Sequence, residues 1–399
     1  MTEFKKSFQD QNLSNFSFIV LIGLSIILGW KLFRLLYPEY ILWNIHNYLI
    51  VLASIFSVMA SYRKNLYLGQ SKTALLVLLF ILLSVFRLVY FSTIDPFFIA
   101  SFVFCLYFIM FSYFVRVSEH LWFKCFETLL ILMLLYNAID YIDANTTLIN
   151  IFNYDIPAFM EGVMNPIGDP SQAIFSSSQT FGIIVRSIGV SGTNYASSAL
   201  TAATAIYFLV LKRRVLFYSS LILLLFWGVG SSIVVAIAYI LYLKRTSKIS
   251  MIITIAGIYA VYLIIVNRGF NAEVYLYVIN NLDLYDFVAA SVLGEGKSVS
   301  SIQTEWRIIG LLFSLGMIGV FLIGSMILNY MAYAKYALYQ KNDLHFKAGF
   351  GFIIVLLLSS FHYNTFFVFP NIFFFVMLIT FSSIGYSRLK KQNSSIVMP

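Results

Sequence analysis

The chain has 399 residues, 60% of them apolar and only 11% charged, with a mean hydropathy of +0.87. A water-soluble globule carries about 25% charged residues, so that class is excluded, and the 40 Phe, 27 Tyr and 5 Trp suit lipid contact and interfacial belts. The expectation is an all-α, polytopic integral membrane protein whose residues 1–399 form a single membrane domain.

A crossing helix needs roughly 20 apolar residues. Runs of that kind fall near 16–36, 40–61, 73–91, 97–115, 121–139, 194–211, 215–243, 249–266, 304–332, 347–361 and 371–386. The first follows a polar opening with Lys5 and Lys6, and no small-residue cleavage site comes after it. That pattern predicts a retained helix and not a signal peptide. Cys105 and Cys125 lie in or beside apolar runs with no pattern of a disulfide framework or a zinc site.

The run 215–243 stands between two basic clusters, Lys212, Arg213 and Arg214 before it and Lys244, Arg245 and Lys248 after it. If both clusters are cytoplasmic, the chain crosses an even number of times between them. Gly228, Gly230, Ser231 and Ser232 sit at its middle, so the run predicts two short helices meeting at a bend. Broken helices survive at membrane depth where they pack in protein or face a cavity, which points to a cavity near 228–232. Counting the pair as two gives about 12 transmembrane segments with both termini on one side. Assigning that side to the cytoplasm places most of the 26 Lys and Arg inside and leaves the outer side net acidic. The net charge of +9 is then a topology signal, and no basic stripe with interleaved aromatics calls for nucleic acid.

Two outer segments exceed what a connection needs, about 140–193 and 267–303. The first holds Pro157, Pro166 and Pro170, the carboxylates Asp140, Asp143, Asp155, Glu161 and Asp169, and a Ser-rich stretch from Ser171. The second holds Arg268, Asp283, Asp286 and Gly294-Glu295-Gly296. Long loops of this kind are usually functional or disordered, and these are expected to cap an outward-facing site. No internal repeat relates the two halves of the chain.

Among the outer cations, Lys31, Arg34 and Arg87 sit at helix ends, where long side chains snorkel to the interface. Arg186, Arg268 and Arg307 lie at the edges of the long loops, against the positive-inside tendency; each is either functional or paired with a loop carboxylate. Arg186 opens a stretch through Gly189, Gly192, Asn194 and Ser197 that leads into an apolar helix. Two readings stand for it. Its glycines let a ligand anion approach backbone N–H groups at a helix start, or it is a plain capped helix beginning. Glu305 at the membrane boundary is likewise either a general base of raised pKa or a helix N-terminal stabiliser. The glycines 310, 316, 319 and 324 that follow are expected to favour close helix packing. His46, His120 and His345 look interfacial, and His362 is the one His near the proposed outer site. No metal-ligand spacing, nucleophile elbow or P-loop is present, so no cofactor or metal is expected.

In order, these features resemble the Wzy-type O-antigen polymerase and ligase superfamily of bacterial membrane glycosyltransferases. Arg186-x-x-Gly189-x-x-Gly192-x-Asn194 looks like the family's Arg-Gly-Asn segment. The bend Gly230-Ser231-Ser232 is similar to a segment where the family often has Ser-Arg, with Ser232 at the Arg position. Gly294-Glu295-Gly296, then Glu305-Trp306, nine residues and Gly316-x-x-Gly319, matches the spacing of the ligase pattern but has Glu305 in place of His. That substitution leans towards a polymerase.

The resemblance covers roughly 180–390. It implies a metal-independent transferase in the bacterial cytoplasmic (inner) membrane that joins undecaprenyl-pyrophosphate-linked oligosaccharides on the outer face, with a separate chain-length regulator as a partner. It further implies that Arg186 and Arg268 contact the pyrophosphate and that Glu305 acts as base. Gly189, Gly192, Asn194, Arg307 and His362 are secondary candidates for substrate contact. A ligase that moves finished glycan, and a non-enzyme flippase of lipid-linked sugars, are the alternatives.

Overall fold

The computed structural model describes residues 14–20, 22–23, 72–91, 96–112, 114, 117–146, 179–180, 184–185, 189–191, 194–227, 229–243, 292–293, 310–341, 344–360, 366 and 370–396. The expected spans 40–61 and 249–266, the loop 267–303 apart from 292–293, and the cations Lys31 and Arg34 lie outside them. Within the described residues the long elements are helical: α1 Lys72–Phe91, α2 Pro96–Ser112, α3 Glu119–Asn145, α4 Asn194–Val210, α5 Arg214–Trp227, α6 Gly230–Leu243, α7 Gly310–Lys341, α8 Leu344–Ser360 and α9 Asn371–Ile396. The two-residue strands β1 Gln179–Thr180 and β2 Ile184–Val185 form a small antiparallel pair between α3 and α4. Three helices are long and apolar enough to cross a membrane, in the windows Lys72–Val89, Glu119–Asn145 and Gly316–Lys335. The other apolar helices are shorter.

Local chemistry sets several boundaries. Ser118 caps α3, its Oγ accepting from Leu121 N–H at 3.3 Å, and Glu119 adds a negative charge in the first turn. At the far end Thr146 closes α3 by donating both N–H and Oγ to Ile142 O, at 2.9 and 2.7 Å. The end of α4 is a left-handed turn at Lys212 (φ 60°), with Arg213 N–H reaching back to Phe208 O at 2.9 Å. This turn sends α5 back alongside α4, and it carries the basic cluster Lys212–Arg214. We call this the basic end of the bundle. The run 215–243 is interrupted between Trp227 and Gly230, as its glycines and flanking charges predict. Each half has 14 residues, about 21 Å at 1.5 Å per residue, short of the roughly 30 Å hydrocarbon core.

The core is aromatic. Phe126 of α3 touches Tyr207 of α4, Phe352 of α8 and Phe374 of α9, with centroids 5.2, 5.3 and 5.4 Å apart, so one ring knits four helices. Nearer the start of α3, Trp122 joins Phe18, Phe111 and Phe381. Helix α4 is buried on all sides from Ala196 to Phe208, with α5, α6 and α8 packed around it. The lipid-type residues Leu75, Leu78, Leu82 and Val89 of α1 and Leu225 of α5 face outward.

Three expectations change. Arg87 does not snorkel to an exposed interface: it is 1% exposed, because it continues the buried stripe Val77, Phe80 and Ser84 of α1, which packs against α2 and α7. Asp140 and Asp143 are not loop carboxylates, since α3 runs on to Asn145 and buries both. Helix α7 breaks at Gly316 (φ 66°, ψ 167°), where the sequence suggests only packing, and a Cβ at Gly324 would meet nothing within 4 Å.

Candidate functional site

At the end of the bundle opposite the basic cluster, four pieces of chain meet in a buried polar junction. Asn137, Asp140 and Asp143 recur at three-residue spacing, so they share one face of α3. Against that face lies the turn at residues 189–191, which leads towards α4 after β2, itself packed on α3. All three N–H groups of the turn are taken by side chains. Gly189 N–H donates to Asp140 Oδ2 at 2.7 Å, Val190 N–H to Asn137 Oδ1 at 2.9 Å, and Ser191 N–H to Ser197 Oγ at 3.1 Å. Ser191 Oγ then donates to Asn371 Oδ1 at 3.4 Å, and Asn371 Nδ2 to Ala196 O at 3.2 Å. The start of α9 is thereby tied to the start of α4.

The junction is closed to bulk solvent: Asn137, Ser197 and Asn371 are 0% exposed and Asp140 1%. A carboxylate at that depth is expensive unless it is hydrogen-bonded. The Gly189 N–H is one bond that offsets the cost, a charge-assisted contact worth about 1.5–3 kcal/mol. Gly189 has φ +63°, the left-handed region that glycine occupies freely, and a Cβ there would run into Ser197 and reach 3.0 Å from Asn137 Oδ1. The amide of Asn137 is oriented by Val190 N–H, which needs an oxygen, and its Nδ2 then has no hydrogen-bond partner among the described residues. A buried donor left over beside a satisfied network marks a place for a polar ligand or water.

The helix break borders this junction. Tyr141, next to Asp140, stacks on Phe226 with centroids 4.8 Å apart and planes 7° from parallel, so the end of α5 lies against the end of α3. The end of α5 at the helix break and the turn at residues 189–191 therefore belong to one region of the protein.

Of the residues the sequence singles out, Gly189 and Ser197 sit in the junction and Asn194 begins α4. Arg186, Gly192, Arg268, Glu305, Arg307 and His362 lie outside the described residues. The expected approach of a ligand anion to this turn finds its donors already bound, and the anion received at Gly189 is Asp140. Sequence reasoning missed Asn137, Asp140 and Asn371 as partners. The three-residue spacing of Asn137, Asp140 and Asp143 in an apolar helix was the available signal, because polar groups inside a membrane span are functional by default. At the basic end His345 Nε2 is 3.0 Å from Glu127 Oε1, a partly exposed pair remote from the junction. Among the described residues no three His, Cys, Asp or Glu gather as metal ligands would.

No family model, curated protein or solved structure matches the chain.

Proposed function

We propose that this protein is a Wzy-type polymerase of lipid-linked oligosaccharide repeat units, working at the outer face of the bacterial cytoplasmic membrane with the junction end outward. The observation that carries the reading is the junction itself. A buried polar network at one end of an all-helical bundle holds Gly189–Ser191, three residues after Arg186, beside a pair of short helices. A short chemistry-bearing segment fixed by rigid helices is how a site for a transition state is built.

In this scheme Arg186 and Arg268 grip the pyrophosphate of the growing chain through forked contacts that strengthen as negative charge develops on it. The C1–O bond to the pyrophosphate breaks. The hydroxyl oxygen of the next lipid-linked unit forms the new C1–O bond, its proton passes to Glu305, and undecaprenyl pyrophosphate leaves. Arg307 and His362 are further candidates for sugar contact, as are Gly192 and Asn194. About twelve crossings, cytoplasmic termini and a chain-length regulator as partner belong to the same reading.

The test is a gel profile of surface glycan from a deletion strain restored with wild type, Arg186→Ala or Glu305→Gln. A ladder that collapses to one repeat and is restored by wild type alone supports polymerisation. Wild-type ladders from both variants refute the site. Long lipid-linked glycan accumulating in the null strain would indicate a ligase instead, and repeats held on the cytoplasmic face a flippase.

A further inference from the structure

A hydroxyl in an apolar helix ordinarily closes onto the carbonyl of the preceding turn. Ser84, Thr204, Ser220 and Ser360 do so, donating to Phe80 O, Leu200 O, Leu216 O and Leu356 O at 2.7–2.9 Å. Five hydroxyls of α4, α6 and α8 do not. Among the described residues Ser198, Thr201, Ser231, Ser232 and Ser359 find no hydrogen-bond partner, although Ser198, Thr201 and Ser232 are 0% exposed and Ser359 2%. Burying that many unmet donors in one part of a membrane protein is costly without something to receive them.

Ser198, Ser232 and Ser359 stand seven or eight residues along their helices from one shared contact, about 10–12 Å at 1.5 Å per residue. Each of the three helices packs on the other two, and they meet closely at Gly351 of α8, where a Cβ would lie 2.9 Å from Ile206 of α4 and 3.0 Å from Tyr239 Oη of α6. From that contact a ridge of four-residue steps climbs α4 and α8 towards the junction end: Ile206, Ala202, Ser198 on α4 and Gly351, Val355, Ser359 on α8. On α6 the buried residues Ala236 and Ser232 lie three and seven residues before Tyr239, towards the same end. The direction of α8 follows from Phe346, near its start, packing on Phe123 near the start of α3. Each ridge ends in a serine. Ser232 also follows the break between α5 and α6, and a broken helix at membrane depth is tolerated where it lines a polar space. Ser198 adjoins Ser197 of the junction.

We propose that α4, α6 and α8 hold, around Ser198, Ser232 and Ser359, a site for a neutral hydroxylic ligand, either bound water or the hydroxyl groups of a sugar. Both offer paired donors and acceptors, which is what serine hydroxyls complement. A charged ligand fits poorly, because α4 and α6 contain no Asp, Glu, Lys or Arg and the only Lys of α8, Lys347, lies at its basic end. The water alternative stands by itself. The sugar alternative rests on the polymerase reading above.

The experiment is thermal unfolding of the purified full-length protein in detergent, wild type against Ser198→Ala, Ser232→Ala, Ser359→Ala and the triple variant. Ser220→Ala serves as the control, since its hydroxyl is already satisfied within α5. A hydroxyl bound to a ligand makes each of the three substitutions lower the Tm by about 1 °C or more, with serine-to-cysteine variants falling between. A dry, unmet hydroxyl gives the opposite: alanine leaves the Tm unchanged or raises it, and that result overturns the site. The undecaprenyl-pyrophosphate-linked oligosaccharide extracted from the native host is then added. Stabilisation of the wild type that the triple variant loses assigns the site to sugar hydroxyls. Stabilisation retained in the triple variant assigns it to water. No stabilisation of the wild type removes the polymerase reading while the alanine series still decides the water site.

Discussion

Gly189→Ala is the sharpest perturbation of the junction, because two independent costs fall on one methyl group. Gly189 holds φ +63°, and an L-residue in that region costs roughly 1–2 kcal/mol. The added Cβ would also sit 2.6 Å from Ser197 Cβ, closer than side chains pack, so Ser197 must move. Ser197 Oγ is the acceptor for Ser191 N–H, and leaving that buried donor unmet costs about 1–3 kcal/mol more. The expected loss is about 2–5 kcal/mol, a substantial share of the stability of an ordinary domain, about 5–15 kcal/mol. Thermal unfolding in detergent reads it, with Gly324→Ala as the matched control. Gly324 lies in α7 with nothing within 4 Å of the added carbon, and alanine is the better helix former by about 0.5–1 kcal/mol. Gly324→Ala should therefore hold or raise the Tm while Gly189→Ala lowers it and, on the polymerase reading proposed above, reduces glycan ladder length. Equal melting of the two variants would refute the account of the junction as a packed, internally bonded knot.

Two further predictions concern helix contacts. Gly351→Val should separate α8 from α4 and α6 and cost about 1–3 kcal/mol as overpacking, since even a Cβ would already reach 2.9 Å from Ile206 Cγ2; the check is loss of Tm and of protein accumulated in the membrane. Tyr330 Oη donates to Phe346 O at 3.0 Å and occupies the space that Gly349 leaves open. Gly349→Ala and Tyr330→Phe should each destabilise, yet the double variant should melt above the additive expectation because phenylalanine vacates the clashing atom. Strict additivity would show that this contact does not set the fit of α7 on α8.

What the sequence made legible follows from the range over which each cause acts. The interruption of 215–243 was readable because its signals are local: two glycines at the centre and basic residues at both ends. The break at Gly316 was not, since that glycine stands among others at similar spacing and nothing nearby distinguishes the one with φ 66°. The end of α3 was misplaced for an energetic reason. Charge inside a membrane helix is expensive, so Asp140 reads as the start of a loop, and it takes partners distant in sequence, such as the Gly189 N–H 49 residues onward, to make the buried carboxylate tolerable. The same long-range pairing hid the site. Gly189 and Ser197 stand out by themselves, whereas Asn137 and Asn371 gain their meaning only when the fold sets them against residues 190–197.

The occupied turn also constrains where a phosphate can bind. Two unit charges about 4 Å apart at an effective dielectric near 20 differ by roughly 4 kcal/mol from the same pair far apart, and a phosphate oxygen on the N–H groups of Gly189 or Val190 would come about that close to Asp140. Repulsion of that size outweighs the gain from one backbone hydrogen bond to a charged phosphate, about 1.5–3 kcal/mol net, and each N–H of the turn would first have to give up the side-chain acceptor it already has. On the polymerase reading proposed above, the pyrophosphate is therefore assigned to Arg186 and Arg268 and not to the turn itself. Asp140→Asn separates the two arrangements, because asparagine keeps an oxygen for Gly189 N–H and removes the charge. If the turn bound phosphate, neutralising Asp140 would lower the KM for the lipid-linked donor by more than tenfold, since tenfold corresponds to about 1.4 kcal/mol. With phosphate on the arginines and Asp140 serving the turn, the KM of Asp140→Asn should stay within about threefold of wild type while the Tm falls by an amount matching a weakened, uncharged hydrogen bond. A large gain in donor affinity would return the phosphate to the turn and overturn this assignment.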